Sequence, residues 1–286
     1  MLSPRDFRLI DSLRLNPSRA FRGVSKGERI SKRKGISIEF ADFRNYSEGD
    51  DLRHLDWNVL ARLETPVLRT YQDEEDLIVY LLVDGSPSMD FGEPKKSEVA
   101  QKLGTALGSI ALIGGDGVRL VHYSKPSPPA PVLRGRSNVA QLHGRLISQD
   151  SGTNSLSQSL QTLLRGSVKP GLVVLVSDGL DQGLSNVIRA LGGRGFEVWM
   201  AQILDDGELY PDLEGDLRMI DSEDGSIAEI TVNRDTLQVY QQNLQQHIET
   251  LRGAIQRTGG KHLVVPTSEG FEHTIVRRMK PDRWFG

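Results

Sequence analysis

Hydrophobic positions along this chain fall into blocks of two kinds. Residues 77–83 (LIVYLLV) and 172–176 (LVVLV) are unbroken apolar runs. Val99, Leu103, Leu107 and Ile110, and later Leu156, Leu160, Leu163 and Leu164, recur instead at helical spacing. An apolar run without alternation reads as a strand buried on both faces, as in the middle of a parallel sheet. A stripe at three- and four-residue spacing reads as a helix packed on one side. From residue 77 onward the two kinds alternate. Strands are predicted at 118–123, 132–133, 196–203 and 262–265. Helices are predicted from Ser97 to Gly114, from Ser137 through Leu146, through Val187 and Leu191, and through Phe271, Ile275 and Val276. A longer stripe, Leu237, Tyr240, Leu244, Ile248, Leu251 and Ile255, ends at Gly259-Gly260. Alternation of this kind implies an α/β fold: a doubly wound, mostly parallel sheet of Rossmann type with right-handed crossovers. Residues 205–235 interrupt it, and the turn at Asp224-Gly225 predicts a β-hairpin insertion.

The stretch before residue 77 has a different texture. Ile36, Ile38 and Phe40 alternate with polar residues, residues 46–50 carry turn chemistry, and Val67 to Tyr71 suggest a second strand. Trp57 is expected to anchor a core, fixed by a salt-bridged loop of Asp50, Asp51, Arg53, His54 and Asp56. His54 has no partner at metal-ligand spacing. Apolar residues are too few here for a separate core. Residues 1–76 are therefore expected to form an extension packed on a main domain of residues 77–286, with the hairpin insertion packed there too.

Charge and composition narrow the function. Residues 1–35 hold ten Lys/Arg and three Asp/Glu, whereas residues 39–76 hold eleven Asp/Glu and four Lys/Arg. Two solvated surfaces explain this, and a docking surface for a partner is the alternative. A net charge of −3, and a basic run at Lys32, Arg33 and Lys34 without interleaved aromatics, argue against nucleic-acid binding. The chain has no Cys, which excludes thiol catalysis and thiolate metal sites and points to a reducing compartment. No stretch approaches the roughly 20 apolar residues of a membrane span. A cytoplasmic protein is expected.

Candidate chemistry gathers where the strands stop. The first apolar run ends in Asp84-Gly85-Ser86-Pro87-Ser88, and the second in Ser177-Asp178-Gly179. Ligands of open α/β sheets bind at the carboxyl ends of strands. Short oxygen-bearing side chains there suit Mg²⁺ or a similar hard cation. The same residues could equally cap a helix and close turns. A third polar loop, residues 150–154, carries Thr153.

In order and spacing, DGSPS, SGTNS and SDG resemble the metal-ion-dependent adhesion site of von Willebrand factor A domains. The resemblance implies that Asp84, Ser86, Ser88, Thr153 and Asp178 bind Mg²⁺, with Mn²⁺ an alternative. The hydroxyls would coordinate directly, the carboxylates would act largely through water, and a partner's carboxylate would complete the shell. A narrower resemblance covers nearly the whole chain. Tyr46, Gly49, Asp50, Asp51, Arg53, Asp56, Trp57, Asn58, Ala61 and Arg62 match the signature of the bacterial "domain of unknown function 58" proteins. Glu48 departs from it, standing where Pro is common. Many such proteins carry N-terminal membrane helices and are encoded beside MoxR-type AAA+ ATPases. The resemblance implies a non-enzymatic adaptor or co-chaperone for such an ATPase, with the ATPase or a client protein supplying an Asp or Glu to the metal. The alternative is a Mg²⁺-dependent phosphatase or nuclease using Asp84 and Asp178. Against it, Ser86 stands where an aspartate-nucleophile phosphatase needs its acid/base, and carboxylates are few for two metals. A Gly-x-Ser-x-Gly nucleophile elbow is absent.

Overall fold

A computed structural model describes residues 2–18, 39–47, 50–72, 77–121, 130–148, 155–166, 168–220 and 225–286. In chain order the elements are α1 (Pro4–Ile10), β1 (Glu39–Asn45), α2 (Trp57–Leu63), β2 (Val67–Gln72), β3 (Ile78–Val83), α3 (Lys96–Gly114), β4 (Gly117–Leu120) and β5 (Leu133–Arg134). There follow α4 (Val139–Ile147), α5 (Leu156–Arg165), β6 (Leu172–Ser177), α6 (Leu184–Gly193), β7 (Glu197–Leu204), α7 (Asp206–Leu209), β8 (Gly215–Ile220), β9 (Ile227–Val232), α8 (Arg234–Gln256), β10 (His262–Pro266) and α9 (Phe271–His273). They form two compact units, one of Met1–Arg19 with Leu77–Gly286 and one of Ala20–Asp76.

The larger unit is mixed α/β. Its six-stranded sheet has the order β10-β7-β6-β3-β4-β5, parallel throughout except for the antiparallel edge strand β5. Every residue of β6 and β7 is buried, as continuous apolar runs require. Alternate residues of β3 feed two helical layers. Tyr80 and Leu82 join Leu156, Leu160 and Leu163 of α5, Ile188 of α6 and Leu251 of α8 in one core cluster. Leu81 and Val83 face α3 and α4, and α3 lies so close that a Cβ on Gly104 would stand 2.3 Å from a Val83 methyl.

The N-terminal residues belong to this unit. A capping box of Ser3 and Asp6 opens α1. Leu2, Ile10 and Leu13 are buried, and Leu15 forms a bridge with Phe285. Asp6 pairs with Lys102 of α3 at 3.1 Å. The division therefore falls after Arg19, and residues 1–76 are not one extension: burial of three aliphatic side chains holds the first segment to the large unit.

In the smaller unit β1 pairs antiparallel with β2. Ile36 and Ile38 lie outside the described residues. Asp56 caps α2 by accepting from the backbone of Asn58 at 2.9 Å and Val59 at 3.2 Å. The charged residues of the loop pair locally, Arg44 with Asp50 at 2.7 Å and Arg53 with Asp51 at 2.6 Å. Trp57 is not the expected core anchor. It is 62% exposed, because it opens a seven-residue helix none of whose described side chains is buried.

β8 and β9 form the predicted hairpin. It is largely exposed rather than packed down: Val232 is buried, while Met219 and Ile227 face solvent. The stripe of α8 packs only in its second half, where Ile248, Leu251, Ala254 and Ile255 are buried. Tyr240 remains exposed.

Candidate metal centre

The register of the two central strands places the candidate residues side by side. Val83 lies opposite Val176, and the Asp84 amide donates to the Val176 carbonyl at 2.9 Å. Asp84 thus stands beside Ser177 and Asp178 at the carboxyl edge of the sheet. The Ser177 hydroxyl donates to Asp84 Oδ2 at 2.5 Å, and the Ser86 amide donates to Asp84 Oδ1 at 2.9 Å. Burial pushes the Asp84 carboxyl up to about 6; the Ser177 hydrogen bond opposes this, and the nearby Asp178 charge adds to it.

Beyond Asp84 the chain turns at Gly85 and makes one tight helical turn, Pro87–Met89, pinned by the buried Met89. This turn brings the Ser86 and Ser88 hydroxyls within 2.9 Å of each other. Asp178 is held from both sides. Its Oδ1 accepts from the Leu180 amide at 3.2 Å, and its Oδ2 accepts from the Lys96 ammonium at 3.0 Å. Its backbone carbonyl accepts from Gln202 Nε2 at 2.8 Å, and Gln202 Oε1 accepts from His262 Nε2 at 3.0 Å. Gly179 has φ +70°, and a Cβ there would meet the Met200 methyl at 2.4 Å, so the turn after Asp178 requires glycine.

Four of the five sequence-predicted residues are therefore brought together: Asp84, Ser86, Ser88 and Asp178. The fifth, Thr153, lies outside the described residues. Helix α5 begins just beyond it, and Asp181 ties that helix to the loop after β6, accepting from the Ser157 amide at 2.7 Å and hydroxyl at 3.0 Å.

Sequence reasoning missed the cation already present. Lys96 is 1% exposed and pairs with Asp178 at 3.0 Å and with Glu208 at 2.6 Å. Burial alone would lower its pKa, but the Asp178 and Glu208 carboxylates reverse the sign and hold it above the ordinary lysine value. Glu208 lies on α7, at the start of the insertion, and its backbone carbonyl accepts from the Tyr240 hydroxyl at 2.9 Å.

The donor set fits a hard cation in part. All its atoms are oxygens, and each carboxylate is already oriented by two donors, as suits a role through bound water. The two serine hydroxyls hydrogen-bond each other. Among the described residues no group of three or more His, Cys, Asp or Glu is placed to hold a metal, so a site here depends on hydroxyls.

Comparison with known proteins places the chain among uncharacterized relatives. The family model for a protein of unknown function, DUF58, matches residues 42–250. The uncharacterized protein Rv1480 of Mycobacterium tuberculosis is 26% identical over 283 residues, covering 96% of this chain and 89% of its own length. The Mycobacterium bovis protein Mb1516, also uncharacterized, matches to the same extent. Among solved structures, the conserved hypothetical protein BatB of Bacteroides thetaiotaomicron aligns with a TM-score of 0.45 at 14% identity, over 72% of this chain and 98% of that one. An aerotolerance-related membrane protein of Bacteroides fragilis, in a form with multiple mutations to serines, aligns with a TM-score of 0.41 at 15% identity over the same shares. No helix among the described residues is long and apolar enough to cross a membrane.

Proposed function

The chain belongs to the DUF58 family, and from that premise we propose that it is a metal-dependent protein-interaction module built on a von Willebrand factor A-like domain. The observation that carries this reading is the Asp84-x-Ser86-x-Ser88 loop at the end of β3, with its two hydroxyls in contact, beside Asp178 at the end of β6. In it, Ser86, Ser88 and Thr153 ligate the cation, while Asp84 and Asp178 act through water. Mg²⁺ or Mn²⁺ held there would supply Lewis acidity toward a partner's Asp or Glu.

The site's surroundings support a protein partner. Phe91 and Leu180 are 55% and 47% exposed. Each belongs to a loop of the site. The Phe91 ring centroid lies 6.0 Å from Lys96 Nζ, and the Leu180 amide binds Asp178. Exposed apolar side chains beside a charged centre give a docking protein area to bury around its carboxylate. A MoxR-type AAA+ ATPase, or a client that it remodels, is the partner proposed. No catalytic step is assigned to the site.

Calorimetric titration with Mg²⁺ and Mn²⁺ tests the first half: the wild type should bind and Asp84→Ala should not. Equal affinity in both forms refutes the site. Pull-downs against the MoxR-type ATPase with wild type and Ser88→Ala, each in Mg²⁺ or EDTA, test the second half. Recovery that ignores both the chelator and the substitution refutes metal-dependent docking.

A further inference from the structure

Lys96 is the group at this site that a simple cation centre does not need. It opens α3, is 1% exposed, and bridges Asp178 and Glu208. Its neighbour Lys95 shows that this is not the default for the segment. Lys95 is exposed and pairs with the exposed Asp90 at 2.6 Å.

We infer that Lys96 competes with the divalent cation for Asp178, and that this keeps cation binding weak until a partner's carboxylate joins the site. The inference rests on the cation-binding reading above and concerns what sets its strength. Asp84, Asp178 and Glu208 are three carboxylates around one ammonium, and Lys96 is shared between Asp178 and Glu208. A divalent cation entering among the hydroxyls then meets an Asp178 that already holds an ammonium, with Asp84 the one carboxylate of the two not ion-paired. A carboxylate from a docking protein makes up for the charge that Lys96 holds, so cation and partner strengthen each other's binding. Glu208 offers the ammonium a second acceptor. It thereby loosens the hold of Lys96 on Asp178 and makes the cation's entry easier.

Two substitutions move in opposite directions on this account. Lys96→Met removes the competitor, and Mn²⁺ should bind at least about tenfold more tightly than to the wild type, roughly 1.4 kcal/mol. Glu208→Gln removes one of the two negative charges that share the ammonium and so strengthens its pairing with Asp178, and Mn²⁺ should bind several-fold more weakly. Lys96→Arg keeps the charge and should keep the weak affinity. The measurement is the electron paramagnetic resonance signal of free Mn²⁺ during titration of the full chain, without partner, at constant pH, with circular dichroism confirming the fold of each variant. If Lys96 were only structural, its loss would weaken Mn²⁺ binding or leave it unchanged. Because Lys96→Met leaves the buried Asp178 and the partly buried Glu208 without a counter-ion and can fail to fold, Glu208→Gln and the double variant Lys96→Met/Glu208→Gln supply independent readings. Tighter binding by the double variant than by Glu208→Gln supports the inference. Equal affinities across all folded forms overturn it while leaving the metal reading standing. No binding by any form overturns both.

Discussion

Acidification should destabilise this fold through His262 while a second buried group at the same sheet edge works against the loss. Gln202 uses its Nε2 on the Asp178 carbonyl, so its Oε1 faces His262 and fixes Nε2 of that ring as the donor. Nδ1 is then left bare, and among the described residues it is buried without a hydrogen-bond partner. A proton there finds no acceptor. Burial, together with the electrostatic influence of Arg252 and His247, lowers the pKa of His262 from 6.5 to about 4. In the unfolded chain His262 takes up its proton near 6.5, whereas the folded chain resists until about 4. The unfolded state therefore binds more protons through that window, and stability is complete above it and falls as pH drops. The full gap corresponds to about 3 kcal/mol, of which about 2 kcal/mol is lost between pH 7 and pH 5. Asp84 has the opposite sign. Its folded value of about 6 lies above its ordinary 3.8, so falling pH stabilises the fold by about 1 kcal/mol over the same interval. The wild-type curve should therefore be shallow, and its comparison with His262→Gln should be informative. Urea unfolding in EDTA at pH 7, 6 and 5 should show the variant gaining about 2 kcal/mol on the wild type toward the acid end. Parallel curves would refute the assignment of a bare, buried Nδ1.

Gly104→Ala should cost about 1–3 kcal/mol in denaturant unfolding, since the added methyl overlaps a Val83 methyl at the centre of the sheet; an unchanged midpoint would mean that α3 is free to shift. Ser177→Ala removes a donor from the buried Asp84 carboxylate and should cost about 1–3 kcal/mol at pH 7, less once Asp84 is protonated at pH 5. A chain beginning at Leu77 loses Leu2, Ile10, Leu13 and the Leu15–Phe285 bridge, exposes the apolar surface they cover, and should aggregate; a monodisperse product on gel filtration with the melting temperature of the full chain would contradict the burial argument.

The central strands are legible in the sequence because burial on both faces leaves no polar position, and little besides a doubly covered strand accommodates an apolar run as short and unbroken as residues 77–83. The ends of those runs locate Asp84, Ser86, Ser88 and Asp178, and strand register then brings them together. Trp57 misleads because a large ring suggests burial. At the first position of a short capped helix such a ring can point to solvent, and nothing local in the sequence distinguishes the two cases. The stripe of α8 misleads for a related reason. Its period is helical over the whole length of the element, but period says which residues share a face and not what covers that face. Tyr240 keeps 40% of its surface exposed, covered in part where its hydroxyl reaches the Glu208 carbonyl.

The two adjacent lysines mark the boundary between what local pattern contains and what only topology supplies. Counting back from the buried residues of α3, Leu107, Leu103 and Ala100 share a face, and one further turn along it reaches Lys96, whereas Lys95 falls off that face. A charged residue on an apolar stripe requires a buried counter-charge, but the sequence stripe of Val99, Leu103, Leu107 and Ile110 runs back to Lys95 and Lys96 alike, so the sequence pattern alone does not choose between them. It cannot say what the counter-charge is. Asp178 stands 82 residues away and Glu208 112 residues away. Asp178 arrives because β6 pairs with β3, which the apolar runs foretell. Glu208 arrives on a four-residue helix after β7, at the mouth of an insertion whose placement no periodicity encodes. The cation site and the insertion are thus joined through one ammonium. On the inferred competition, a partner that moves α7 would change how firmly Lys96 holds Asp178, and with it the affinity for the proposed metal.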